Sequence, residues 1–211
     1  MITTNTILQI DITEELTCPH IAATHPSTPN LHKANESRPK SSRQAFFNSL
    51  LEEREVKVMA ETGSIAVFCP TSNLFLGSGL FDRDRLKASG VRMSVATDVG
   101  GGTSFSMLRT MDEGYKVLQL RGSRLNPFQS FYMMTLGNAR ALSMEDKIGT
   151  LDEGTEADIV VLDSAATSPM RLRMAAGASL EQELFLLQTV GDDRAIVETY
   201  VAGKPLKSEL G

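Results

Sequence analysis

The chain has 211 residues, of which 41% are hydrophobic, enough to build a core, and its net charge is -5, from 21 Lys and Arg against 26 Asp and Glu. No basic stripe of the kind that neutralises phosphates stands out, and no apolar run approaches the ~20 residues that span a bilayer, so nucleic-acid and membrane partners are excluded as expectations. The N-terminus lacks the basic start and apolar core of a secretory signal, and two cysteines among ten methionines do not suggest a disulfide framework, so the expected location is the cytoplasm.

In chain order, residues 1–50 form an atypical segment, read as irregular or disordered: from Thr17 to Ser42 it is crowded with Pro, Ser, Thr, Asn and Lys without periodicity. All three histidines, His20, His25 and His32, fall there. From Leu51 a charged helix is predicted, ended by Gly63 as its C-terminal cap. Ile65 to Cys69 reads as a buried strand closed by Pro70, Asp82 to Ala88 as a helix ending near Gly90, and Val91 to Ala96 as a second strand. Leu108, Met111, Tyr115 and Leu118 then repeat at helical spacing. Helix, strand, helix, strand, helix predicts an α/β fold with parallel strands joined by crossovers.

One further helix is predicted from Pro127 to Leu142. Two short strands are predicted within Ile148 to Asp163, around a turn at Glu153-Gly154. A Pro-containing linker follows, then a helix marked by Leu180, Leu184 and Leu187, and a strand from Ala195 to Val201 that ends in the turn at Ala202-Gly203-Lys204. These two β segments are expected to pair in a layer separate from the parallel strands.

Two segments carry candidate chemistry. Ala96 to Met107 delivers Asp98 from a strand end into the glycines 100, 101 and 102, the place where α/β folds keep their active sites. A carboxylate there can ligate a cation or move protons; equally, it can cap the turn with a side-chain oxygen. Phe68 to Gly79 is read as a strand end followed by a polar loop. There Thr71, Ser72 and Asn73 are candidates to line a pocket or, alternatively, to stabilise a tight turn. Cys69, with no histidine after it to act as a base, reads as a small buried hydrophobe.

Four motifs in order, Cys69-Pro-Thr-Ser-Asn-Leu-Phe-Leu-Gly-Ser-Gly-Leu-Phe81, Ala96-Thr-Asp-Val-Gly-Gly-Gly-Thr103, Ala157-Asp-Ile-Val-Val-Leu-Asp163 and Gly191-Asp-Asp-Arg194, closely resemble the bacterial guanine deaminases of the amidohydrolase superfamily, from about Leu51 to Leu206. The resemblance implies a partial (β/α)₈ TIM barrel in residues 51–145, with Ile65 to Cys69 and Val91 to Ala96 as its last two strands. It also implies the C-terminal part of a small β-sandwich, with one helix, in residues 146–211. It further implies one zinc ion and, in the complete enzyme, a homodimer acting on guanine. On that template Asp98 is both catalytic and a metal ligand: zinc lowers the pKa of bound water toward about 7, hydroxide attacks C2 of guanine, Asp98 shuttles the proton, and ammonia leaves to give xanthine.

The family's His-x-His pair and its later histidines have no counterpart from Leu51 onward. Thr24-His25 is similar to the family's Thr-His at a strand end, which makes His25 a candidate ligand, although Pro26 follows it and the family's acidic residue is missing. One carboxylate does not hold a catalytic zinc, so the expectation is a truncated chain, inactive alone. The alternatives are a non-catalytic remnant that acts as a binding or interaction module, and a related purine or pterin deaminase.

Overall fold

A computed structural model describes residues 6–8 and 51–208, which fall into two compact units. The first holds residues 51–105 and 113–124, the second residues 6–8, 106–112 and 125–208. Within the described residues no helix is long and apolar enough to cross a membrane. The chain opens with strand β1, Thr6–Leu8, which belongs to the second unit.

The first unit begins with α1, Glu53–Thr62, whose start is fixed by the Glu55 carboxylate accepting from the Glu52 amide at 2.6 Å. Gly63 ends it at φ 66°, a left-handed conformation that lets Ser64 N–H reach the Met59 carbonyl at 3.0 Å. Strand β2, Ile65–Phe68, pairs in parallel with β3, Arg92–Val95, as the alternation of elements predicts. The ladder extends one residue further, where the Ala96 amide donates to the Phe68 carbonyl at 3.1 Å. Between them lie α2, Pro70–Phe75, and α3, Arg83–Ala88, which Asp82 caps by accepting from the Arg85 amide.

The core of this unit joins Val56 and Met59 of α1 to Ala66, Leu86 and Val91, with Phe81 and Met93 packed alongside. Burying one such side chain contributes about 1.5–3 kcal/mol. Phe68, fully buried, stacks on Phe81 with ring centroids 4.7 Å apart. Gly114 leaves room for the Phe68 ring: a β-carbon there would lie 3.1 Å from its edge.

Helix α4, Met107–Leu120, follows the predicted stripe, with Leu108, Met111 and Leu118 buried. In the second unit, the expected single helix from Pro127 to Leu142 is two, α5, Pro127–Met134, and α6, Leu136–Ala141. The break is at Thr135 (φ −123°, ψ −108°), whose hydroxyl takes the Phe131 carbonyl at 2.7 Å, while Gly137 turns so tightly that a β-carbon would meet the Tyr132 carbonyl at 2.7 Å. Of the two strands expected within Ile148 to Asp163, only β4, Ile159–Leu162, forms. Residues 149–158 instead make turns, with Gly149 and Gly154 at φ 98° and 96° and the Glu156 amide folded back on the Lys147 carbonyl at 2.7 Å.

The supposed linker after β4 contains a helix, α7, Ser168–Ala175. Thr167 caps it by accepting from the Met170 amide, and Pro169 sits in its first turn. Helix α8, Leu180–Val190, then leads to β5, Ile196–Val201, and β6, Lys204–Pro205, joined by the expected turn. Strands β4 and β5 pair antiparallel in a sheet separate from β2 and β3, as the punctuation at Gly203 suggested. That sheet has the order β1-β4-β5-β6. Its outer strand β1 falls within the segment read as irregular and pairs antiparallel with β4.

Candidate functional site

The site grows from the parallel pairing of β2 and β3, which brings the segments after Phe68 and after Val95 to the same end of the sheet. After β2, Pro70 sits at the first helical position with φ already suited to it, and the chain winds directly into α2 rather than a loop. The helix buries Thr71 and Ser72 and leaves Asn73 half-buried. The Ser72 hydroxyl donates to the Cys69 carbonyl at 3.2 Å, within its own turn. The Thr71 hydroxyl reaches across to the Thr97 carbonyl at 3.1 Å. Cys69 is buried, in keeping with the small-hydrophobe reading.

After β3, Asp98 stands at φ 49°, a left-handed conformation that costs an L-residue about 1–2 kcal/mol and is best tolerated by Asp and Asn. The turn beyond it closes on the Asp98 main-chain carbonyl, which accepts from the amides of Gly101 at 3.1 Å and Gly102 at 2.5 Å. The carboxylate is therefore not spent on capping. It lies over Gly101, with Oδ2 3.1 Å from where a β-carbon would stand and the Leu76 side chain 3.6 Å from the same point.

Every other acidic side chain of the described residues that is shielded from full exposure has a partner. Glu55 takes the Glu52 amide, Asp82 pairs with Arg121, Asp112 with Arg109 and Glu113 with Lys116. Asp158 accepts from Ala202 N–H at 2.7 Å, Asp163 from Ala165 N–H at 2.8 Å, and Glu183 from the Ser164 hydroxyl at 2.8 Å. Asp192 grips Arg194, whose guanidinium holds its carboxyl below the usual range. Glu198 collects the amides of Thr199, Lys207 and Ser208. Among the described residues no hydrogen bond ends on the Asp98 carboxylate.

The donor set does not fit a catalytic zinc. Such an ion takes about three protein ligands, and among the described residues no group of three or more His, Cys, Asp or Glu gathers to hold one. His25, the other candidate ligand, lies outside the described residues.

A carboxylate at the C-terminal end of a parallel strand stands where barrels of βα units keep their active sites. The chain belongs to the amidohydrolase family, whose profile matches residues 40–206; this is the superfamily that the four sequence motifs resemble. It is 48% identical to guanine deaminase of Escherichia coli over 154 residues, which is 73% of this chain and 35% of that protein. The solved structure of the E. coli enzyme superposes with a TM-score of 0.71 at 47% identity, over 74% of this chain and 36% of that one. Guanine deaminase from Bradyrhizobium japonicum follows at TM-score 0.65 and 37% identity, over 74% of this chain and 40% of that one. An adenosine deaminase from Xanthomonas campestris with bound zinc gives 0.60 at 27% identity, over 74% and 34%. The chain thus spans about a third of the length of the relatives it matches.

Sequence reading expects the segments that hold Asp98 and Thr71 to share one end of adjacent parallel strands, as they do, but gives no sign of the Thr71–Thr97 hydrogen bond that joins them. The link runs between residues 26 positions apart, and no local pattern announces it.

Proposed function

We propose that this chain carries the proton-transferring carboxylate, Asp98, of a guanine deaminase, and contributes to the hydrolysis of guanine to xanthine and ammonia. The observation that carries the proposal is the Asp98 carboxylate itself. It stands at a strand's C-terminal end, with no described hydrogen bond, in a chain whose other sheltered acids are all engaged. The similarity to guanine deaminases supplies the substrate.

Asp98 takes a proton from the attacking water as the resulting hydroxide adds to C2 of guanine, and the C2–N3 π pair moves to N3. Asp98 then returns the proton to the exocyclic amine, which leaves as ammonia with the C–N bonding pair, and the N3 lone pair re-forms the double bond. The product is the lactim form of xanthine, which tautomerises. The described donors do not fit zinc, so in this proposal the metal requires ligands beyond them, with Asp98 as one member of the set.

On the same reading, residues 51–145 form the last part of the barrel and residues 146–211 the C-terminal share of a β-sandwich, which strand β1 joins through its pairing with β4. The complete enzyme is a cytoplasmic homodimer. Of the three pocket-wall candidates, Asn73 is the one left for the ligand, because the hydroxyls of Thr71 and Ser72 are engaged on main-chain carbonyls.

The experiment is ammonia release from guanine. The zinc-loaded 211-residue chain is expected to give none, and residues 51–206 joined to the N-terminal part of E. coli guanine deaminase are expected to turn over. Asp98→Asn in that fusion lowers turnover by about 10²–10⁴-fold, because an amide neither accepts nor returns the proton. A fusion whose activity is unchanged by Asp98→Asn overturns the assignment. The lone carboxylate also favours the second reading, a non-catalytic binding module, and an inactive, zinc-free fusion would support it.

A further inference from the structure

We propose that Thr71 is the positioning residue for Asp98: its buried hydroxyl, with Gly102 folded beneath it, holds the peptide before Asp98 and so fixes the direction of the carboxylate. The inference rests on the proton-transfer reading of Asp98 and adds to it the device that aims the group. A non-glycine residue keeps a positive φ only where its surroundings enforce it. At Asp98 two restraints act, one on each side of the residue. On the C-terminal side, the amides of Gly101 and Gly102 hold the Asp98 carbonyl. On the N-terminal side, the Thr97 carbonyl accepts the Thr71 hydroxyl at 3.1 Å.

Thr71 does not choose its own direction. It occupies the first turn of α2 between the buried Pro70 and Ser72, on the segment that follows the fully buried Phe68. Gly102 closes the arrangement, because a β-carbon on it would stand 2.3 Å from the Thr97 carbonyl oxygen, 2.8 Å from the Thr71 hydroxyl and 3.0 Å from the Asp98 carbonyl oxygen. Only a residue without a side chain fits there, and only a side chain with a hydroxyl at position 71 supplies the Thr97 carbonyl with this donor. Removing the hydroxyl frees the peptide between Thr97 and Asp98 to rotate, and Asp98 relaxes out of the left-handed region.

The test uses the isotope-labelled 211-residue chain and reads the backbone directly by NMR. In Thr71→Val, the Gly101 and Gly102 amides are expected to exchange about five- to tenfold faster. The Cα and Cβ shifts and the HN–Hα coupling of Asp98 move away from left-handed values, while the Ala96 amide, bonded to Phe68, keeps its protection. Thr71→Ser, which retains the hydroxyl, restores the wild-type pattern. A merely structural role for Thr71 would loosen Ala96 together with the glycines. The proposal is overturned if Asp98 is unmoved in Thr71→Val, if Thr71→Ser behaves like the valine variant, or if Ala96 loosens equally. Should the valine variant not fold, Gly102→Ala displaces the same contacts with Thr71 intact and must produce the same change at Asp98. In the wild-type chain itself the Thr71 hydroxyl proton must exchange slowly, and a hydroxyl in fast exchange with water also overturns the proposal. None of these readouts involves guanine turnover, so failure of the clasp and failure of the proton-transfer reading are told apart.

Discussion

Phe68→Ala tests the parallel strand pair on which the whole site stands. The ring is fully buried, stacks on Phe81 at 4.7 Å and an interplanar angle of 24°, and fills the space that Gly114 leaves open. Truncating a buried phenylalanine costs about 3–5 kcal/mol, of which the lost aromatic pair accounts for about 0.5–1.5 kcal/mol. Phe68→Leu keeps most of the apolar volume and costs about 1.5 kcal/mol or less. The assay is amide exchange at Ala96, whose N–H closes the ladder on the Phe68 carbonyl. The alanine variant is expected to exchange there about a hundred to several thousand times faster, and the leucine variant about tenfold faster at most. If alanine shifts the exchange free energy by less than about 0.5 kcal/mol, a change typical of surface substitutions, the ring is not part of a packed core and the geometry around Asp98 loses its foundation.

Three other outcomes follow from particular residues. The hydrogen bonds on Glu198, led by the one from Ser208, hold its carboxyl at about 2. A depressed acid contributes stability that is present above its unfolded pKa and lost as pH falls through the folded one, so the Lys207 and Ser208 amides should titrate with a midpoint near 2, and a midpoint near the ordinary value of 4.5 would show those bonds absent. Phe75 and Phe105 are 70% and 84% exposed, and β2 and β3 form a two-stranded sheet, so sedimentation velocity should show concentration-dependent association that Phe75→Lys with Phe105→Lys reduces. Gly63→Ala forces a β-carbon onto φ 66° at the end of α1 and should destabilise by about 1 kcal/mol in urea titration, whereas no change would contradict the left-handed cap.

What the sequence made legible were features whose cause is local. Gly63 as a cap, the stripe of Leu108, Met111 and Leu118, and the apolar runs of β2 and β3 each depend on a few neighbouring residues, and each is found where it was read. The misread elements depend on distant or competing contacts. Helix α7 opens with Thr167-Ser168-Pro169, an N-terminal signal that the proline disguised as a linker. The break between α5 and α6 arises because the Thr135 hydroxyl captures a carbonyl of the preceding turn and Gly137 closes on Tyr132, neither of which interrupts the apolar pattern. The failed hairpin after Ile148 has a turn glycine and its second strand, β4, but no first strand, since the Glu156 amide is satisfied by Lys147 instead of a ladder partner. At the candidate site, the place of Asp98 at a strand end could be read directly, but the contact that holds it could not.

Asp98 and Asp163 differ in what the turn after each one uses to close. Both aspartates follow a strand and open a turn. Asp163 spends its side chain on that turn, accepting the Ala165 amide at 2.8 Å, and its carboxylate is thereby committed. At Asp98 the same structural need is met by the main-chain carbonyl, because residues 101 and 102, being glycines, bring their amides within 3.1 and 2.5 Å of it. A side chain at 102 would collide with the Thr97 carbonyl, and one at 101 would crowd the carboxylate itself. The glycines thus act by closing the turn without using the acid, leaving the Asp98 oxygens the one set of sheltered carboxylate oxygens in the described residues without a protein donor.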